Sequence, residues 1–295
     1  MNLAVVDMGS NSLHLQVVNP AGETLHVARA SVRLGDLDQG RLRAGPMDAA
    51  AQALAGFQRL SREHGAELRV ISATAAVRDC SNPQDLAQRL SPLNLDLEVL
   101  SGDDEGKLIF LGACAALKLE SALVIDLGGR STEFALGRKG QLEEVLSLNI
   151  GHITASQVPM PERIAWCREQ MSGAAAFFAR DLPPVVLTAG TSLTIGRMAL
   201  MASGAIPPGN PKHPVQGLQV TRSDLEVMVA QILRSDDLAS IEGMDPRRLD
   251  TLHAGALALG CAVEGMITET FILSRSAMRE GLVARALQGV LCPAS

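Results

Sequence analysis

Leu3-Ala4-Val5-Val6-Asp7-Met8-Gly9-Ser10-Asn11-Ser12 and, about 120 residues further on, Ala122-Leu123-Val124-Ile125-Asp126-Leu127-Gly128-Gly129-Arg130-Ser131-Thr132 are two versions of one device. Each is an apolar strand that ends in an aspartate and turns through glycine and hydroxyl residues. A buried strand ending in a carboxylate can hold a hydrated metal ion, and the tight backbone beside it offers bare N–H groups to phosphate oxygens. Two such turns predict two facing half-domains with a phosphate chain between them.

The echo extends outward from both turns. After the first, residues 12–18 alternate as a strand, Asn19-Pro20-Ala21-Gly22 makes a hairpin, and residues 24–33 return as a third strand. After the second, strands follow at 132–136 and 142–148. The first third therefore reads β-β-β-α-β-α-β-α, with a helix at 46–60, strands at 68–73 and 95–100, and a helix from 103 to 117. Later, a strand at 184–188 runs into a helix opened by Ala189-Gly190-Thr191-Ser192. Residues 202–217, with four prolines and three glycines, read as a surface loop. A strand at 271–273 precedes a final helix at 278–291. The pattern is an internal structural duplication with little identity between its halves.

Composition narrows the function. The 295 residues are 47% hydrophobic, enough for two cores, but only 2% aromatic, which argues against stacking surfaces for single-stranded nucleic acid. At a net charge of −6, a polyanionic partner needs a locally basic site on an acidic body. Cys80, Cys114, Cys167, Cys261 and Cys292 are odd in number and form no CxxC pair, which reads as free thiols in a reducing compartment. The chain opens directly on a strand, and residues 252–267 carry His253 and Glu264 within an apolar run. Neither a signal peptide nor a membrane span is predicted, so the expected location is the cytoplasm.

Asp7 and Asp126 are the leading candidates for metal ligation, with Glu133 placed to reach the ion or a second water. Gly9, Ser10, Asn11, Ser12, Gly128, Gly129, Arg130, Ser131 and Thr132 then line the phosphate sites. Arg78, at the end of Ala73-Thr74-Ala75-Ala76-Val77-Arg78, suits a bidentate phosphate clamp, although a lone arginine of this kind is more often solvated. Asp103-Asp104-Glu105 opens a helix where acids complement the dipole. One of the three could instead orient a water for attack on phosphorus, and the pattern alone does not choose which. Gly190-Thr191-Ser192 is an anion site or a simple cap. Arg275 and Arg279-Glu280-Gly281 either face the cleft or pair with nearby acids.

Taken together, these segments resemble the exopolyphosphatase / guanosine pentaphosphate phosphohydrolase (Ppx/GppA) family. The match runs through Asp7 to Leu15, Arg33-Leu34-Gly35, Ala73 to Arg78, Leu100 to Leu108, Val124 to Glu133, Ser147 to Gly151, Ala189-Gly190-Thr191 and Met278-Arg279-Glu280-Gly281-Leu282. The resemblance implies an α/β protein of two actin-like (ribonuclease H-like) ATPase-superfold domains with an interdomain cleft. The domains are expected at 1–118 and 119–295, with the last helix packing back on the first. It also implies an exopolyphosphatase in the short two-domain form, using Mg2+ with Mn2+ as the alternative ion. Its partner is inorganic polyphosphate or guanosine pentaphosphate, with no nucleic acid or membrane, and its assembly a homodimer. Glu105 falls on the family's catalytic glutamate, Arg78 and the two loops on phosphate-binding positions, and Asp7, Asp126 and Glu133 on metal and water positions.

Four positions depart from the family pattern. Arg130 stands where a third loop glycine is usual, Asp104 replaces Glu, Gly106 replaces Ala and Lys107 replaces Arg. Two rival readings follow. A low-turnover polyphosphate or alarmone sensor would rest on Arg130. A sugar or acetate kinase of the same superfold would rest on Gly255-Ala256-Leu257-Ala258-Leu259-Gly260, whose apolar character favours helix packing.

Overall fold

The computed structural model describes residues 1–68, 70–178 and 181–289. Residue 69 of the strand predicted at 68–73, the end of the helix predicted through 291, and Cys292 lie outside them. The chain divides into two compact units, Met1–Gly112 with the helix Met278–Leu287, and Ala113–Ala277. The first boundary falls inside a single helix, Gly102–Leu117.

The first unit is built on strands β1 (Asn2–Met8), β2 (Ser12–Val18), β3 (Thr24–Ser31), β4 (Ala66–Glu67), β5 (Val70–Ala73) and β6 (Asp96–Val99). Their order is β3-β2-β1-β5-β6, with β4 also on β1. β1, β2 and β3 form an antiparallel meander, and β5 and β6 extend it in parallel. The buried face of β2 alternates as its residues do. Leu13, Leu15 and Val17 join Val6, Met8, Leu54, Ile71 and Leu86 in one apolar core. Each such fully buried aliphatic side chain contributes on the order of 1.5–3 kcal/mol. The helix Ala44–Glu63 closes this core, and Pro46 sits in its first turn, where the missing N–H costs nothing.

The second unit repeats the plan. Strands β7 (Ala122–Leu127), β8 (Thr132–Arg138) and β9 (Gln141–Leu148) form the meander, and β10 (Val185–Thr188), β11 (Gln219–Thr221) and β12 (Thr270–Leu273) complete the order β11-β12-β10-β7-β8-β9. β10 runs parallel to both β7 and β12. β11, three residues long and antiparallel to β12, carries too little periodicity to be read from sequence. The apolar stretch around Gly255 and Gly260 is the buried helix Leu252–Val263, as packing predicts. Between Ala202 and Gln219 the chain forms neither helix nor strand, in line with its prolines and glycines.

Candidate active site

In the first unit the turn after β1 is held from both sides. Gly9 N–H donates to the Ser12 carbonyl (3.1 Å), the amides of Val32 and Arg33 donate to the Asn11 carbonyl (3.1 Å each), and Gly35 N–H donates to the Ser10 carbonyl (2.7 Å). Arg33 reaches this position with a left-handed φ of 55°. The Arg33-Leu34-Gly35 segment therefore props the loop and leaves its carbonyls satisfied. The Ser12 hydroxyl accepts from Arg29 Nη2 (2.7 Å) and Nε (3.1 Å). Arg29, directly across β3 from His14, adds positive charge beside the loop. Nothing in a lone arginine on an alternating strand announced it.

The second unit builds the same turn by other means. Gly128 N–H donates to the Ser131 carbonyl (3.0 Å), matching Gly9 and Ser12. The amides of His152 and Ile153 donate to the carbonyls of Gly128 (3.1 Å) and Gly129 (2.7 Å). The brace here is Gly151-His152-Ile153, and it requires glycine. A Cβ on Gly151 would lie 2.4 Å from the Gly129 carbonyl carbon and 2.7 Å from Arg130 N. Gly151→Ala is expected to cost about 1–3 kcal/mol, since backbone must move to admit it; the check is the shift in urea midpoint. Arg130 is not among the left-handed residues of the chain, so the turn takes an arginine without needing a glycine's backbone freedom. The substitution therefore imposes no left-handed backbone on this turn.

Register places the acids. Asp7 pairs with His14 across β1 and β2, and Asp126 pairs with Glu133 across β7 and β8, each pair seven positions apart on the hairpin. Glu133 is 1% exposed and its Oε1 accepts from Ser147 Oγ (2.8 Å). Thr132 is fully buried and its hydroxyl donates to the Ile150 carbonyl. That contact spends the hydroxyl on bracing the loop.

The three acids that the residue pattern alone left open occupy three different settings. Ser101 and Asp104 form a capping pair, Asp104 N–H to Ser101 Oγ at 3.1 Å and Ser101 Oγ to Asp104 Oδ2 at 2.7 Å. Hydrogen bonds from Lys107 and then from Ser101 hold the Asp104 carboxyl below its ordinary range. Asp103 is exposed. Glu105 alone turns inward, 8% exposed. Its Oε2 accepts from Arg78 Nη1 at 3.0 Å.

Arg78 sits at the end of the short helix Ala75–Arg78 and also donates to the Leu100 carbonyl (3.2 Å) and to Asp79 Oδ1 (3.2 Å). The lone, solvated arginine that sequence weighed is thus drawn into an ion pair with the buried glutamate. Burial pushes the Glu105 carboxyl above the usual carboxylate range, against the hydrogen bond and charge of Arg78, which pull it down.

Asp7 is also raised, to about 7. Desolvation is the largest cause, followed by the negative charge of Glu105. Arg279 opposes the shift and Glu280 adds to it. Asp7, Glu105 and Arg78 thus form one electrostatic group within the first unit. Among the described residues, no three His, Cys, Asp or Glu side chains converge as a ready-made metal cage.

Each unit sets an antiparallel three-stranded meander against parallel strands and carries an aspartate-glycine turn at the end of its first strand. That plan defines the actin-like, ribonuclease H-like ATPase superfold, as expected from sequence. Within it, the model of the Ppx/GppA phosphatase family matches residues 6–289, and the chain belongs to that family.

The chain is 28% identical over 312 residues to exopolyphosphatase 1 of Mycobacterium leprae, covering 97% of this chain and 90% of the relative. It is 27% identical over 315 residues to exopolyphosphatase 1 of Mycobacterium tuberculosis, covering 97% and 88%. Among solved structures, an exopolyphosphatase from Cytophaga hutchinsonii superposes with a TM-score of 0.86 at 24% identity, over 98% of each chain. The Aquifex aeolicus member of the Ppx/GppA family gives 0.77 at 24% identity, also over 98% of each.

Proposed function

We propose that this chain is an exopolyphosphatase that releases terminal orthophosphate from inorganic polyphosphate by water attack, with Glu105 as the base. The observation that carries this reading is the inward-facing Glu105 carboxylate, desolvated and held by Arg78, on the helix whose other two acids are spent on capping or solvent. A carboxyl raised by burial is a better proton acceptor than an exposed one, and fixing one oxygen on Arg78 leaves the other to orient a water. Accepting the attacking water's proton as general base is worth about 10²–10⁴-fold in rate. The backbone N–H groups of the two turns and the side chains of Ser10, Asn11, Arg130 and Ser131 bind phosphate oxygens, while Thr132 braces its loop. Arg78 serves first to orient Glu105.

Asp7 fits a divalent cation. Its carboxyl is crowded by protein atoms and by the charge of Glu105 and Glu280, and a hard oxygen donor so placed ionises readily only when a cation is near. Asp7 would hold Mg2+ partly through water, with Mn2+ as the alternative, and Asp126 and Glu133 are the acids of the second unit suited to the same ion. When bound, the ion supplies neutralisation of phosphate charge.

No helix among the described residues is long and apolar enough to cross a membrane. Cys80, Cys114, Cys167 and Cys261 are free thiols, which supports a reducing cytoplasm as the setting.

The deciding experiment measures phosphate release from long polyphosphate, short polyphosphate and guanosine pentaphosphate, each with Mg2+ and with chelator. The reading requires Mg2+-dependent release from polyphosphate at the highest kcat/KM of the three. Preferential turnover of guanosine pentaphosphate would replace it with the nucleotide phosphohydrolase.

A further inference from the structure

In the Met278-Arg279-Glu280-Gly281-Leu282 motif, Arg279 and Glu280 act by charge on Asp7, while Gly281 lies against the element that carries Glu105. The helix Met278–Leu287 packs on β1 and β2 of the first unit. Two arginines pin it by its polar side. Arg279 Nε donates to Gln16 Oε1 (3.0 Å), and Arg285 Nη1 donates to Glu98 Oε1 (2.8 Å).

Between those pins comes Gly281. A Cβ there would stand 2.0 Å from the Leu108 carbonyl oxygen, 2.6 Å from its carbonyl carbon and 2.8 Å from its Cα. All three are backbone atoms of the helix Gly102–Leu117, so no side-chain rotation could relieve the overlap. Leu108 follows Glu105 by three positions and therefore sits about one turn along the same face.

We infer that Gly281 is a positioning residue for the hydrolytic reaction: by letting two helix backbones meet at Leu108, it sets the depth at which Glu105 stands beside Arg78. The inference rests on the assignment of Glu105 as the water-orienting base. Its logic is steric. The catalytic helix is anchored at its start by the Ser101 and Asp104 cap, which is exposed and local. The close approach at Leu108 is the buried stop one turn further in. Even a methyl group at position 281 forces the helices apart by more than 1 Å, because ordinary carbon-to-oxygen contact begins beyond 3 Å. A misplacement of that size costs on the order of 10²-fold in rate when it falls on a reacting group. The phosphate-binding turn at Gly9–Ser12 is held by residues 32–35 instead, so substrate binding is spared.

The test compares Gly281→Ala with Arg285→Gln, which loosens the same helix at its far pin without touching Leu108. Wild type and Glu105→Gln are assayed alongside on polyphosphate with Mg2+. Gly281→Ala is expected to lose 30- to 100-fold in kcat with KM changed by less than threefold. Arg285→Gln is expected to keep kcat within threefold even where its melting temperature falls as far.

Equal kcat losses in the two variants, or losses that track melting temperature, overturn the inference, because a merely structural helix would behave that way. If Gly281→Ala yields no folded protein, Leu282→Ala replaces it, slackening the same seat where Leu282 is buried. It must lower kcat at least tenfold with KM held, and a wild-type kcat sinks the proposal. An active wild type whose Glu105→Gln variant is equally active refutes the base assignment and this inference with it. Loss in Glu105→Gln with full activity in Gly281→Ala refutes this inference alone.

Discussion

Glu105→Gln lowers kcat for phosphate release from polyphosphate by about 10²–10⁴-fold, leaves KM within a few-fold, and keeps the fold. The amide preserves an oxygen to accept from Arg78 Nη1, so the local hydrogen bond survives. What disappears is the lone pair basic enough to take a proton. Because burial holds the Glu105 carboxyl above its ordinary range, the folded protein bears a cost for ionising it that the amide escapes. The variant therefore melts no lower than wild type near neutral pH. Asp104→Asn is the matching control. It weakens a helix cap, lowers stability by about 1 kcal/mol and leaves kcat within twofold. Similar rates for wild type and Glu105→Gln, with both folded, would remove the glutamate from the mechanism.

Asp7→Asn has the second large effect, and pH dissects it. In the folded, metal-free protein Asp7 keeps its proton up to about pH 7, whereas the unfolded chain releases it near 3.8. Between those values the native state binds more protons, so stability falls as pH rises from about 4 to about 7 and is flat above. The full cost is on the order of 4 kcal/mol. Asn at this position never ionises. In EDTA at pH 8 the variant should melt several degrees above wild type, and at pH 4 the two should coincide. Mg2+ should raise the wild-type melting temperature at pH 8 and move the variant little, while phosphate release falls at least 10³-fold. A differential scanning series across pH and Mg2+ reads all of this. A melting-temperature gap between wild type and variant that is independent of pH would mean that Asp7 is not the titrating group.

Local chemistry made the two aspartate turns legible, because a strand that ends in Asp-x-Gly writes its geometry into adjacent residues. The resemblance of spaced motifs made the family legible for the same reason. The braces were harder. The segments Val32 to Gly35 and Gly151 to Ile153 hold equivalent loops in the two units, yet they share no pattern, since any segment with free amides and room to approach can cap two carbonyls. Residue chemistry alone did not choose among Asp103, Asp104 and Glu105, and only the family resemblance pointed to Glu105. All three suit a helix start, and only their position around the axis decides which one meets Arg78. Arg130 was misleading in the opposite sense. A glycine in a family pattern suggests a left-handed backbone, but here Arg130 has no left-handed φ.

The Glu105 unit is discontinuous: its sheet comes from the first hundred or so residues and its seating helix from Met278 onward, after the whole of the other unit. On a ribosome, the strands that bear Asp7 therefore emerge long before the helix that covers them, and the continuous second unit has its complete sequence first. The nascent protein thus holds Glu105 without its seating helix until the whole of the second unit has been made. The close seat at Leu108 is completed only by a segment translated after that unit.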